Sequence, residues 1–361
     1  MIRSSDHNYI LGIKRAPSST FSHILRFIFA VICAILLEME DSFYQNLASE
    51  LIRALRGRRS QTAFSRRLGY KCNVVYTWES GRRRPTAAQF FRILQRVGVD
   101  VRAALERFYR AAPQWLERVD LTGAPAVALM LDDLRGGAGI GDLAHRTGRS
   151  RFAVSRWLKG DAEPRLPDFL RMIEATSLRL LDFVAALVDP SQLPSVADKW
   201  IRLQTARTAA YEMPWSHVVL RALELEQYRA MTRHQTGWIA QHLGISIREE
   251  RRCLRMLAKT GQIEKRNGRW VPGAVLTVDT RHDPRRDKKL KAWWSRLAAR
   301  RIKEESPGFF SYNLFTVSEK DLQRLEELHL VYYRELRSIV AESEPSQRVV
   351  LANLQLFGLE A

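Results

Sequence analysis

Apolar residues recur at helical spacing from residue 43 onward. Between Phe43 and Arg56, Leu47, Leu51, Ile52 and Leu55 share one face, which predicts an amphipathic helix. Ser60 suits the N-cap of a short helix ending near Leu68, and Gly69 suits the tight turn after it. Val74, Val75 and Trp78 mark a second short helix that stops at Gly81. Pro85 then precedes a third, with Phe90, Phe91 and Leu94 inward. This phrasing returns without gaps, residues 55–97 matching 134–176 at an offset of 79 residues. Leu55-Arg56-Gly57 recurs as Leu134-Arg135-Gly136, Arg67 and Gly69 as Arg146 and Gly148, and Phe90 and Arg92 as Phe169 and Arg171. Val75, Trp78, Gly81 and Pro85 recur as Val154, Trp157, Gly160 and Pro164. So long a period implies a duplicated small domain rather than a solenoid, whose units run to ~20–50 residues.

The pattern changes after the linker Asp189–Pro194. A helix is expected from Ser195 to Tyr211, and Pro214-Trp215 opens another along Val218, Val219, Leu220, Leu223 and Tyr228. Two shorter helices follow, Thr236–Leu243 ending at Gly244 and one capped by Ser246 that runs to Thr260. Ile263–Arg266, Asn267-Gly268 and Arg269–Val271 read as a hairpin on a two-residue turn. Arg281–Lys303 is a basic helical stretch carrying Trp293 and Trp294, expected either to pack them against its neighbours or to clamp a sugar-phosphate backbone. At the end, Phe309–Val317 alternates through Phe310, Tyr312 and Leu314. Ser318 then caps a helix with Leu322, Leu325, Leu328, Tyr332, Leu336 and Ile339 on one face, and Arg348–Phe357 reads as a last strand. Two such strands with a crossover helix would pair side by side or across a dimer.

Charge adds a partner class. The chain has 361 residues with 58 Lys+Arg against 39 Asp+Glu, a net charge of +19, yet 46% of it is hydrophobic. It can therefore build cores, and the surplus points to a polyanion, nucleic acid before a membrane surface. The excess is local. Residues 43–112 hold 15 basic against 4 acidic residues, residues 126–190 hold 9 of each, and the tail 304–361 holds 5 against 10. Residues 199–272 and 281–303 are each at +8 (14 against 6, and 10 against 2). Cys33, Cys72 and Cys253 form no C-x-x-C pair, which points to a reducing compartment and no structural zinc.

Phe27–Leu37 is an unbroken apolar run, but as a helix it would cross about half of a ~30 Å hydrocarbon core. No A-x-A-like cleavage site follows it. Residues 1–38 are therefore expected to be an extension before a working start at Met39, the rival readings being a short hydrophobic anchor or an extra packing helix.

Taken together, Ser60-Gln61, Phe64, Gly69, Val75, Trp78-Glu79, Gly81 and Pro85 resemble the Cro/C1-type (xenobiotic-response-element-like) helix-turn-helix family of bacterial and phage regulators, over residues 43 to about 110. The resemblance implies that Gln61 contacts the phosphate backbone and that Cys72, Asn73 and Thr77 read base edges. Asn73 can pair bidentately with adenine, and Lys71, Arg82, Arg83 and Arg84 are placed for phosphates, unless the three arginines are simply a solvated loop. The second copy departs at the surface. Ile140 stands where Gln61 would, and Lys159-Gly160-Asp161-Ala162-Glu163-Pro164 would repel phosphate. Arg151 and Arg156 still occupy two reading positions and Phe152 the third. This copy is either a second DNA reader or a retained fold used for dimer or domain contacts, and its zero net charge favours the latter.

The order of elements from 195 to 272 resembles a winged helix, with Ser246–Thr260 as recognition helix and the Asn267-Gly268 hairpin as wing. Arg248, Arg251, Arg252 and Arg255 then form a basic face, with Lys265, Arg266 and Arg269 beside it for phosphates. Glu250 departs from that pattern, standing where winged helices place an apolar residue. With this region, Phe315-Thr-Val-Ser318 and Leu354-Gln-Leu-Phe357 resemble a bacterial family of paralogous regulators whose C-terminal domain has no assigned function, over about 195–361. No catalytic residue transfers from it.

The expected fold is mainly α: tandem five-helix helix-turn-helix domains (39–112 and a diverged 113–190), a winged-helix domain (191–280), and a basic helix with a small α/β dimerisation or sensing module (281–361). The expected function is that of a bacterial, cytoplasmic, nucleoid-associated transcription regulator that binds double-stranded DNA by promoter occupancy. A homodimer and an unidentified small-molecule or protein effector are expected, and a membrane is not. Asp279, His282, Asp283 and Asp287 crowd one loop and define a rival, a metal-dependent nucleic-acid-processing enzyme. Interleaved with Pro284 and basic residues they read rather as a turn held by ion pairs. No phosphate loop, nucleophile elbow or two-His spacing occurs, so no cofactor, metal or catalytic residue is expected. A protein-interaction scaffold is the third reading.

Overall fold

The computed structural model describes residues 41–109, 113–273, 280 and 283–360. The extension 1–38, the Met39 start, and Asp279, Arg281 and His282 lie outside the described residues. The chain is mainly helical, with one small two-stranded antiparallel sheet among the described residues.

The first copy comprises α1 (residues 41–56), α2 (Gln61–Arg67), α3 (Val74–Glu79), α4 (Ala87–Val97) and α5 (Val101–Tyr109). Its boundaries follow from short-range chemistry. The Ser60 hydroxyl accepts the Ala63 N–H at the start of α2, and Thr86 with Gln89 forms a reciprocal capping box on α4. Gly69, at φ +87°, makes the turn between α2 and α3 in a region that disfavours a Cβ. Leu47, Leu51, Ile52, Phe64, Val75, Phe90 and Leu94 are fully buried. At ~1.5–3 kcal/mol for each such side chain, this core is the main support of the copy.

The second copy repeats the order in α7 (Ala124–Arg135), α8 (Ile140–Thr147), α9 (Arg151–Lys159), α10 (Leu166–Ser177) and α11 (Leu180–Leu187), after the short α6 (Trp115–Arg118). The two copies share one apolar core, continuous from Tyr44 to Leu203. They meet reciprocally. The Ala87 N–H donates to the Pro164 carbonyl at 3.0 Å and the Leu166 N–H to the Pro85 carbonyl at 2.9 Å. Pro85 and Pro164, like Ala87 and Leu166, are equivalent under the 79-residue offset, so the join is a local pseudo-two-fold axis. α5 packs on its own counterpart α11, and the Arg107 side chain donates to the carbonyl of its equivalent, Ala186, at 3.0 Å. Phe169 lies within 5.7 Å of both Phe91 and Phe183, ring centre to ring centre. Asp41 of α1 pairs with Arg149 and with the buried Arg171 of the second copy, and despite partial burial these arginines hold its carboxyl below the usual range.

A 3₁₀ turn (Pro190–Gln192) leads into α12 (Ala197–Glu212), α13 (Trp215–Ala222), α14 (Glu226–Arg229), α15 (Trp238–Leu243) and α16 (Ile247–Lys259). The expected long helix through Tyr228 is interrupted between α13 and α14. Strands β1 (Ile263–Arg266) and β2 (Arg269–Pro272) pair antiparallel, Ile263 opposite Pro272, with Asn267 at φ +50° and Gly268 at φ +79° forming the turn. A second core, centred on Tyr228, Ile239, Cys253 and Leu257, holds this unit.

Finally, α17 (Pro284–Lys303) and α18 (Glu319–Glu342) carry the C-terminal region. The strands expected at Phe309–Val317 and Arg348–Phe357 are absent as strands: both segments are unpaired. Phe309, Tyr312, Leu314, Val350 and Phe357, with Leu328 and Ile339 of α18, are exposed. Alternation makes a segment competent for a sheet, but a ladder needs a hydrogen-bonded neighbour, and neither segment has one among the described residues.

Candidate nucleic-acid interface

The turn before α3 and the loop after it share one surface. Asn73 is the N-cap of α3, its Oδ1 accepting the Tyr76 N–H at 3.3 Å and the Ser65 hydroxyl at 3.2 Å. The Ser65 hydroxyl in turn accepts the buried Val75 N–H at 3.1 Å, which ties α2 to α3. Lys71, Cys72 and Asn73 are exposed side by side, and Arg82 and Arg83 are exposed on the loop that follows. Thr77, one turn along from Asn73, donates its hydroxyl to the Val74 carbonyl at 2.7 Å.

Two of the expected phosphate contacts are engaged within the chain. The Gln61 amide donates to Glu79 Oε2 at 2.7 Å, and Glu79 also holds Arg56 at 2.6 Å, so Gln61 is oriented rather than free-swinging. Arg84 folds back onto the Gly81 carbonyl and donates to Gln45 Oε1 at 3.0 Å. Its burial lowers its pKa from the usual arginine range, and it braces the loop that presents Arg82 and Arg83. Tyr76, absent from the expected set, is 41% exposed with the Arg82 guanidinium 5.2 Å from its ring centre. Its i+3 spacing from Asn73 was the available signal.

On α9 of the second copy, Ser150 caps the helix and Arg151, Phe152 and Arg156 are exposed. Phe152 is 72% exposed, and the Arg156 guanidinium lies 5.5 Å from its ring centre. The Arg151 guanidinium reaches back over the first turn of α8: a Cβ on Gly141 would lie 3.0 Å from its Nη2.

Around α16, Arg248, Arg251, Arg252 and Arg255 are exposed, while Cys253, Leu254, Leu257 and Glu250 are buried. Burial pushes the Cys253 thiol up to about 12. Glu250 is fully buried because it caps the neighbouring helix: its Oε1 accepts the Gly237 N–H at 2.9 Å and its Oε2 the Ala240 N–H at 2.5 Å. α15 has no side-chain cap of its own, so this carboxylate fixes α15 against α16. His234 Nε2 stands 3.6 Å from Glu250, and burial lowers the His234 pKa against that attraction. On the hairpin, Lys265 and Arg266 are exposed, Arg266 pairing with Glu264. Arg269 instead donates to the carbonyls of Arg229 and Met231, which anchors the hairpin to the body.

A cavity of about 450 Å³ opens where α13, α16 and α17 meet, lined by Glu212, Trp215, Glu249, Arg252, Trp293 and Arg300. Trp293 packs edge-on against Trp215, ring centres 5.5 Å apart. Asp283 caps α17 by accepting the Arg285 and Arg286 N–H groups, which lowers its pKa, and Asp287 pairs with Lys291 at 2.9 Å. No group of three or more His, Cys, Asp or Glu side chains able to hold a metal occurs among the described residues. No helix among them is long and apolar enough to cross a membrane.

Residues 196–359 match a family model described as a domain of unknown function (DUF4423). No curated protein and no solved structure matches the chain.

Proposed function

We propose that this protein is a sequence-specific, double-stranded-DNA-binding transcription regulator that acts by occupying a promoter site, built as tandem helix-turn-helix domains, a winged-helix unit and a C-terminal association module. The observation that carries this reading is the surface of the first copy. Lys71, Cys72 and Asn73 at the start of α3 and Arg82 and Arg83 just after it are exposed together, on a segment at +11 with a buried frame behind it. Cys72, Asn73 and Thr77 read base edges; Lys71, Arg82 and Arg83 hold the backbone together with Gln61, which Glu79 orients, and Arg84 braces the loop that carries Arg82 and Arg83. Arg248, Arg251, Arg252, Arg255, Lys265 and Arg266 give the winged unit a second basic face. A cytoplasmic, nucleoid-associated location follows from that partner. An effector would enter the cavity beside α16, which lies within the ~300–1,000 Å³ of small-molecule sites.

The second partner is another copy of this chain. Of the 25 exposed large apolar side chains among the described residues, 18 lie in 309–359. They present on the order of 1,000 Å² of apolar surface, comparable with the ~800 Å² that each partner buries in a standard interface. The same tail is acidic, with α17 of a second chain as a basic complement. Among the described residues nothing favours the nuclease reading: Asp283 caps α17 and Asp287 pairs with Lys291.

The test is binding of the full chain to its own upstream DNA and to a scrambled duplex at several salt concentrations. A preference for the upstream sequence with a steep salt slope is expected. Equal affinity for both would leave an architectural binder or an enzyme, and no binding would leave a protein scaffold.

A further inference from the structure

The two copies differ at the surface in a way that the pseudo-two-fold makes meaningful. In the first copy the polar group at the start of the first motif helix is Gln61, held there by Glu79. In the second that position is Ile140. The polar function is not lost: the next residue is Gly141, and the Arg151 guanidinium lies over it, Nη2, Cζ and Nε all within 3.4 Å of where a Cβ would be. A cation from the first residue of α9 thus lies over the first turn of α8, the turn that in the first copy carries the Gln61 amide. Arg151 and Phe152 are the equivalents of Cys72 and Asn73, and Arg156 is the equivalent of Thr77. Each copy also stacks an arginine on an exposed aromatic ring, Arg82 on Tyr76 and Arg156 on Phe152. The reciprocal Pro85–Leu166 and Pro164–Ala87 hydrogen bonds relate these two surfaces by one axis within one chain.

We infer that the second copy reads DNA too, and that a single chain reads one bipartite site whose halves are unlike. This rests on the DNA-binding reading of the first copy and extends it. Arg151 takes the phosphate at the start of α8, in the place of Gln61. Phe152 offers an apolar face suited to a thymine methyl, and Arg156 a planar fork suited to guanine O6 and N7, where the first copy presents Asn73 for adenine and Thr77 beside it. Zero net charge over 126–190, which by itself favours a contact role, assigns most of the phosphate attraction to the first half and leaves discrimination to the second.

The experiment is selection of duplexes from a random pool by the full chain, followed by quantitative binding of point variants to single-base variants of the selected site. Two unlike half-sites about one helical turn apart are expected. Arg156→Gln should relax the preference in one half by about tenfold or more and leave the other unchanged, and Asn73→Ala should do the reverse. Gly141→Val, which displaces Arg151, should weaken binding without relaxing any base preference. A selected site with one half only, or a true palindrome in which Asn73→Ala affects both halves equally and Arg156→Gln neither, would overturn the inference while leaving the first copy a DNA reader. Failure to enrich any sequence would remove both.

Discussion

The two halves of the repeat carry the same buried positions and different exposed ones. Val75 and Val154, Trp78 and Trp157, and Phe90 and Phe169 are buried in both, yet Asn73 faces Phe152 across the alignment, Thr77 faces Arg156, and Gln61 faces Ile140. A duplicated fold must keep its core, because a cavity in either copy opens a core that both share. It is free to rewrite its surface, and the rewriting falls on the positions that we propose meet DNA.

The strongest way to break this comparison is through the shared core. Phe169→Ala should cost about 3–5 kcal/mol. It should lower the stability of both copies in one cooperative transition, read by hydrogen exchange in α2 and α8; loss confined to the second copy would mean two separate cores. A smaller effect separates the repeat from the unit around Tyr228. His217 is flanked by that core, its ring Nε2 shut off from solvent without a hydrogen-bond partner, and burial lowers its pKa from 6.5 to about 4. The unfolded chain therefore binds the proton first, so stability falls as pH drops from about 6.5 to about 4, by roughly 3 kcal/mol in all. His217→Phe should flatten that slope in acid melts.

Next in size is Asn73→Ala, expected to cost roughly 1–3 kcal/mol at one base position while also weakening the cap on α3. Leu354→Glu with Phe357→Glu should convert a dimer to a monomer in sedimentation analysis. The melting of the repeat should stay unchanged, because those side chains are already exposed in the single chain. A dimer that survives both changes would move the association surface elsewhere.

Much of the local frame was legible in the sequence. Ser60, Gly69, Ser246 and Asn267-Gly268 act over three or four residues, and each sits at the boundary its chemistry predicts. The offset of 79 residues disclosed the duplication, but not that the copies fuse about an axis. That join uses backbone groups of Pro85 and Pro164 and rings far apart in sequence, which no local pattern encodes. Glu250 was visible as a misfit, and its purpose appeared only once α15 lay beside it without a cap. In the interface, Lys71, Cys72, Asn73, Arg82 and Arg83 come to one surface as their spacing predicts. Arg84 and Arg269 do not stand free, because a long cationic side chain next to unsatisfied carbonyls folds onto them. The tail departs for the opposite reason: its alternation suits strands, but neither segment pairs with a neighbour among the described residues.

The central claim is that the α3 surface divides its work between phosphates and bases. Its most direct measurement is the affinity of the full chain for its selected duplex over a several-fold range of salt, for the native protein, Arg83→Ala and Asn73→Ala. Arg83→Ala should weaken binding on every sequence and lower the logarithmic salt slope by about 1, while Asn73→Ala should leave the slope intact and relax one base position. Equal losses on all sequences with the same slope for both variants would contradict that division.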